Sequence, residues 1–315
     1  MTLSPVKTHL SARERYAGLL QGAFLGDSLA LGAHWLYDQR EIVRLFDRVT
    51  DLQAPLPESY HPGKEAGDQT HYGDQSLVLM ESLNACGGNF VMDDFARRWR
   101  KFWETSKSYR DKATKQTLIH LQEGHGFTTS GSDIADLGGT ARIAPLLAAL
   151  REEDQSTIVA AARAQTAFTH AALLALDTTE FIARTVFLIM RGVTVVSALH
   201  MAAALPYKKL PAEAWLKNAQ ELQALPTGEA VEELGQACPI EQALPSIFAI
   251  LLRHGDSFED ALIENVMAGG DSAARGAILG MLLGAAHGQR AIPERWALAL
   301  QAQPQIDAFA HTVGL

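Results

Sequence analysis

Two short stretches of this chain set a lone Asp beside glycine and hydroxyl groups where a helix should begin. One is Gly73-Asp74-Gln75-Ser76; the other, far downstream, is Gly269-Gly270-Asp271-Ser272-Ala273-Ala274-Arg275-Gly276. The first turn of a helix leaves its N–H groups unpaired, so carboxylate, hydroxyl and N–H together suit an oxygen-rich ligand or a hard cation. Asp27, in Gly22-Ala23-Phe24-Leu25-Gly26-Asp27, adds a third carboxylate of the same kind. His34-Trp35, His61, Asp68, Gln69 and His71-Tyr72 lie near these stretches in sequence. Their rings can stack on a base or sugar, and a neutral His can act as general base near pH 7. Each is equally readable as a core aromatic or a hydrogen-bonded His. Arg275 either donates to a phosphate or forms a structural ion pair with Asp271 or Asp74. Cys238 and Cys86 are the only cysteines and read as inert thiols, with a reactive Cys238 the less favoured option.

The elements that must position these residues read as helices. Ser11 and Glu14 form a capping box ahead of the apolar face Tyr16, Leu19, Leu20 and Phe24. A helix continues from Asp74 through Leu77 to Ala85 and stops at Gly87-Gly88. Asp93 is expected to cap a helix that gathers Phe95, Trp99, Phe102 and Trp103 on one side. Residues 180–190 and 194–205 are apolar enough for strands, but their length and Ala-rich surroundings favour buried helices. Pro211 opens a helix through Leu222, and residues 240–254 and 257–268 follow. No Asn-Gly or Asp-Gly turn and no convincing alternation argue for a sheet. The long Pro- and Gly-bearing segment 50–72 and the Gly-rich segment 123–139 read as binding loops or lids. Gly18, Gly22 and Gly26 share the four-residue spacing of Gly276, Gly280 and Gly284. Two such smooth-faced helices crossing at their glycines would bring Asp27 and Asp271 toward one centre; the plainer reading is tight packing alone.

Composition narrows the classes. A chain of 315 residues with 47% hydrophobic and 20% charged residues has a large core and is not a disordered chain. A net charge of −9 with no basic block argues against nucleic acid as a partner. Two cysteines exclude a disulfide framework and a thiolate metal site, and a reducing cytoplasm is the default compartment. Residues 1–10 lack a signal-peptide core, and the apolar stretch 277–286 falls well short of the roughly 20 residues that span a bilayer.

Gly138-Gly139-Thr140-Ala141-Arg142-Ile143-Ala144-Pro145, Phe168-Thr169-His170 and the helix start Gln242-Ala243-Leu244-Pro245-Ser246 complete a series with the Asp motifs. In this order they resemble the ADP-ribosylglycohydrolase superfamily, from about residue 15 to about residue 290. The resemblance implies an all-α fold, one compact orthogonal bundle of many helices in a single domain over residues 1–315, with residues 1–10 a loose tail. It also implies an ADP-ribose-class ligand, a Gly-rich loop around its pyrophosphate, and two Mg²⁺ held by paired acidic clusters.

The family's first cluster reads Thr-Asp-Asp-Thr where this chain has Gly73-Asp74-Gln75-Ser76. Its second reads Gly-Gly-Asp-Thr-Asp-Thr where this chain has Gly269-Gly270-Asp271-Ser272-Ala273-Ala274. A further family carboxylate has no clear counterpart, although Asp38 can stand in for it. Mg²⁺ wants about six oxygens in an octahedron. A binuclear Mg²⁺ centre is therefore not expected, and at most one ion would sit on Asp74, Asp271 and Ser76. By the resemblance Asp74 and Asp271 are the catalytic residues. Asp27, His34, Tyr72, Gln75, Gly138, Gly139, Thr140, His170, Ser272 and Arg275 contact the ligand. Two functions remain open: hydrolysis of an N- or O-glycosidic bond to ribose with altered metal dependence, or a non-catalytic, crystallin-like or ligand-binding member. The oligomeric state and the linkage cleaved are not legible.

Overall fold

In a computed structural model that describes residues 10–315, helices carry the chain from end to end. The first group is α1 Ala12–Ala30, α2 Gln39–Phe46, α3 His71–Ala85, α4 Met92–Thr105 and α5 Lys112–Gln122. Then come α6 Gly138–Ala141, α7 Ala144–Ala149, α8 Gln155–Ala167, α9 Leu173–Met190, α10 Val195–Ala203 and α11 Ala212–Glu221. The last are α12 Thr227–Leu234, α13 Ile240–His254, α14 Phe258–Met267, α15 Ser272–His287, α16 Glu294–Ala299 and α17 Gln303–Thr312. Among the described residues there is no strand, only the isolated bridges Ser132 to His170 and Asp136 to Pro239. The expected tail lies outside the described residues, apart from Leu10. The buried apolar side chains form one contiguous cluster from Tyr16 to Val313, and no described helix is long and apolar enough to cross a membrane.

Local chemistry explains several helix starts. The Ser11 hydroxyl accepts from the Glu14 amide while the Glu14 carboxylate accepts from Ser11, the reciprocal pair that satisfies two helix-end donors. Thr70, one turn before Asp74, caps α3 through the Tyr72 amide. The expected cap at Asp93 is not made: α4 begins at Met92 behind Val91, which has no capping side chain. Asp93 and Asp94 instead sit inside the first turn, where a carboxylate still meets the positive end of the helix. Pro211 is the residue just before α11 rather than its first helical residue.

The glycine pattern sets the centre of the fold. α1 and α15 run antiparallel with Gly18 against Gly284, Gly22 against Gly280 and Gly26 against Gly276. A Cβ at any of the six would run into the opposing glycine's carbonyl, so the backbones touch directly. The C-terminal end of α1, bearing Asp27, therefore meets the N-terminal end of α15, bearing Asp271, as the spacing suggested.

Candidate functional site

α3 enters between those two ends, and its first turn binds both. The Asp27 carboxylate accepts from the Thr70 amide at 2.7 Å, the Thr70 hydroxyl at 2.5 Å and the Gly73 amide at 3.2 Å. Burial pushes its carboxyl up to about 7, against the pull of these Thr70 donors. Asp27 thus anchors the loop before α3. On the other side of the turn, the Tyr72 hydroxyl donates to Asp271 Oδ2 at 2.9 Å.

Asp271 closes a loop that only glycine can build. Gly269 and Gly270 both have left-handed backbones, φ 75° and 74°, and Gly270 packs against the Gln236 carbonyl too closely for a side chain. The Gly270 amide donates to the Leu36 carbonyl at 2.7 Å, the Trp35 amide donates to Gly270 at 2.9 Å, and the Asp271 amide donates to Gln236 at 2.8 Å. Arg275 braces this loop from inside, donating to Asn265 Oδ1 at 3.0 Å, to the Gln236 carbonyl at 3.0 Å and to the Gly269 carbonyl. Neither reading offered for Arg275, a phosphate donor or an ion pair with a site Asp, matches these contacts. Trp35, in the facing segment, has a left-handed backbone of φ 67°, which is costly for a bulky residue and typical of a site under constraint.

The cavity beside Asp271 has a volume of about 620 Å³, within the range of small-ligand sites. Trp35, Tyr37, Tyr60, Tyr72 and Tyr109 give it aromatic walls, and Asp111, Asp136 and Asp271 give it carboxylates. Burial raises Asp271 to about 6, partly offset by the Tyr72 hydrogen bond and the Arg275 charge. Asp111 caps α5 through the Thr114 amide at 2.6 Å and is raised by burial and by the charge of Asp136. Asp136 is different. Burial opposes its charge, but His170 at 2.8 Å and the Gly138 amide at 2.8 Å outweigh that and hold it below the usual carboxylate range.

Behind Asp136 lies a buried relay: Arg142 donates to the Thr169 hydroxyl, Thr169 pairs with His170 Nδ1 at 2.8 Å, and His170 Nε2 pairs with Asp136. Donation in one direction along that chain satisfies every group in it.

Most of the remaining expected residues are placed away from this cavity. Asp74 does not line this cavity: Lys64 Nζ donates to its Oδ1 at 2.7 Å and Ser108 to its Oδ2 at 2.6 Å. Gln75 points into the core, where Oε1 accepts from Trp99 at 2.7 Å and Arg142 at 3.2 Å. Ser76 donates back along its helix to the Tyr72 carbonyl. Thr140 pairs with Thr179, the Gly139 carbonyl accepts from Gln165, and Ser272 is buried with its hydroxyl unpartnered. His34 is buried behind Trp35, with Nε2 3.9 Å from Asp271 Oδ1. Cys238 is exposed rather than buried, at the cavity rim, with burial of its thiol nonetheless pushing it up to about 12. Sequence reasoning missed Asp111, Asp136, Tyr60 and Tyr109. Asp136 was signalled by standing two residues before Gly138, where an Asx-type bond to that amide forms.

The chain belongs to the ADP-ribosylglycohydrolase family, which it matches over residues 8–314. It is similar to an uncharacterized protein of Archaeoglobus fulgidus, 26% identical over 300 residues that cover 94% of this chain and 95% of that one. It is also similar to the ADP-ribosylhydrolase ARH3 of Mus musculus and of Homo sapiens, each 22% identical over 345 residues and 95% of this chain, covering 90% and 92% of those proteins. A solved structure described as an ADP-ribosylglycohydrolase-related protein complex shares the fold, with a TM-score of 0.71 at 24% identity over 96% of this chain and 97% of its own.

Proposed function

We propose that this protein hydrolyses an N- or O-glycosidic bond to ribose in an ADP-ribosyl or similar nucleotide-like substrate, with the chemistry at Asp271 rather than at a pair of Mg²⁺ ions. The observation that carries this reading is the Asp271 carboxylate. One oxygen is fixed by Tyr72, the other has no hydrogen-bond partner, and the residue lines an aromatic-walled cavity of nucleotide size. Glycoside hydrolysis passes through an oxocarbenium-like state served by two carboxyl groups, one to protonate the leaving atom and one to stabilise charge or activate water. Asp271, at about 6, is mostly ionised at neutral pH and suits the second task. Asp111, raised by burial and a like charge, suits proton donation. The tyrosines offer stacking faces for base or sugar.

The acidic clusters that the family resemblance assigns to Mg²⁺ do not fit it here. Both Asp74 oxygens, Gln75 Oε1 and the Ser76 hydroxyl are engaged within the protein, and the Lys64 ammonium already balances Asp74. Too few free oxygens remain for one octahedral ion, and fewer for two. Calorimetric titration of ADP-ribose into the purified protein tests the reading. Binding whose affinity is indifferent to added Mg²⁺ supports it; no binding under any condition favours the crystallin-like alternative.

A further inference from the structure

His34, His61 and His71 come from three separate segments and meet in the interior. His34 follows the turn after α1, His61 lies in the long loop, and His71 is the first residue of α3. All three are buried, and one ring nitrogen from each lies within 4.8 Å of the others. Their ring centroids are 5.4, 5.8 and 6.1 Å apart. Three imidazoles bound to a tetrahedral ion at about 2.1 Å would have centroids roughly 5.3 Å apart and nitrogens roughly 3.4 Å apart. The cluster is within a small side-chain adjustment of that arrangement.

The hydrogen bonding points the same way. Both ring nitrogens of all three histidines are buried without a hydrogen-bond partner. Buried polar atoms are satisfied almost without exception, and three buried rings with no hydrogen-bond partner, one nitrogen of each close to the others, call for a ligand. Asp271 Oδ1, also buried and unpartnered, lies 3.9 Å from His34 Nε2. Asp111 Oδ2 lies 3.6 Å from His71 Nε2, where a carboxylate can orient a ligating ring. Trp35 stacks on His34 and His61, and Tyr109 meets His71 edge-on.

We propose that His34, His61 and His71 hold one zinc-class divalent ion, with Asp271 supplying the fourth ligand or orienting a water there. Imidazole selects Zn²⁺ and its transition-metal neighbours over Mg²⁺, which prefers oxygen. Such an ion would pin the 50–70 loop to α1 and α3, whatever reaction the cavity performs. The proposal shares Asp271 and Asp111 with the glycosidase reading, but its test reads metal uptake, so its failure is distinguishable from the failure of that reading.

The test uses the full chain, stripped with chelator, dialysed and titrated with Zn²⁺. Metal analysis should give about one Zn²⁺ per chain, and Zn²⁺ but not Mg²⁺ should raise the melting temperature. Co²⁺ in its place should give the intense visible bands of a tetrahedral nitrogen-rich site. His61→Ala should weaken Zn²⁺ at least a hundredfold in competition with a chelating dye. Absence of Zn²⁺ uptake by the wild-type protein, or unchanged uptake by His61→Ala, would overturn the proposal. If His61→Ala does not fold, the wild-type Co²⁺ spectrum decides: octahedral, weak bands overturn it.

Discussion

Replacing Gly280 by Ala perturbs the contact that brings the two halves of the site together. A methyl built there collides with the Gly22 carbonyl and stands 3.3 Å from the Ala23 nitrogen; both are backbone atoms of a buried helix and cannot turn aside. Relief requires α1 and α15 to part by roughly an ångström, which forfeits dispersion contacts along the whole crossing. Overpacking of this kind costs about 1–3 kcal/mol, and the rigid obstacle places Gly280→Ala at the upper end. The gain in helix propensity returns about 1 kcal/mol. The expected net loss is about 2 kcal/mol. Gly22→Ala should behave alike, and the double variant should lose less than the sum, because one separation accommodates both methyls. Gly126, whose added methyl would find only Thr129 Oγ1 at 3.9 Å, is the control and should change stability by less than about 0.5 kcal/mol. Urea unfolding of the four variants and the wild type measures this. Because a misplacement of about 1 Å can cost about a hundredfold in catalysis, turnover should fall further than stability. Wild-type stability and ligand binding in both single variants would refute the reasoning.

Asp271→Asn should be more stable than the wild type at pH 7 in metal-free buffer. The folded carboxyl, at about 6, is raised from 3.8, so ionising it in the folded state costs up to about 3 kcal/mol. That difference should shrink as pH falls through about 6 and vanish below 3.8 in urea titrations; a stability gain independent of pH would contradict it. Lys64→Met leaves Asp74 with Ser108 alone and should lose up to about 3 kcal/mol at neutral pH. Loss of the Lys64 charge raises Asp74 further, so the deficit should be recovered as acid protonates it. Arg275→Met deprives the Gly269 and Gln236 carbonyls of their donor and should cost about 3 kcal/mol or more by the same measurement.

Much of the fold was legible because it rests on local rules. The Ser11–Glu14 box and the two glycine series each use chemistry confined to a few residues. The site was legible in part. Asp271 and Tyr72, which a hydrogen bond joins beside the cavity, sit in a Gly-Gly-Asp turn and at a helix start, both of which carry visible signals. The direction in which Asp74 points depends on Lys64, ten residues earlier, and Ser108, over thirty residues later. No local pattern reveals that Gln75 feeds a core relay through Arg142 and His170, nor that His61 swings inward to meet His34 and His71. Those are facts of tertiary packing, and they place Asp111 and Asp136, not Asp74, in the cavity with Asp271.

The most direct test of the central claim is the initial rate of ADP-ribose release from ADP-ribosylated peptides, measured for wild type and Asp271→Asn with Mg²⁺ omitted and then added. The expected result is release by the wild type at a rate indifferent to Mg²⁺, lowered at least about a hundredfold in the variant by loss of its charge at the reacting sugar. Release that requires Mg²⁺, or that survives in Asp271→Asn, would contradict it.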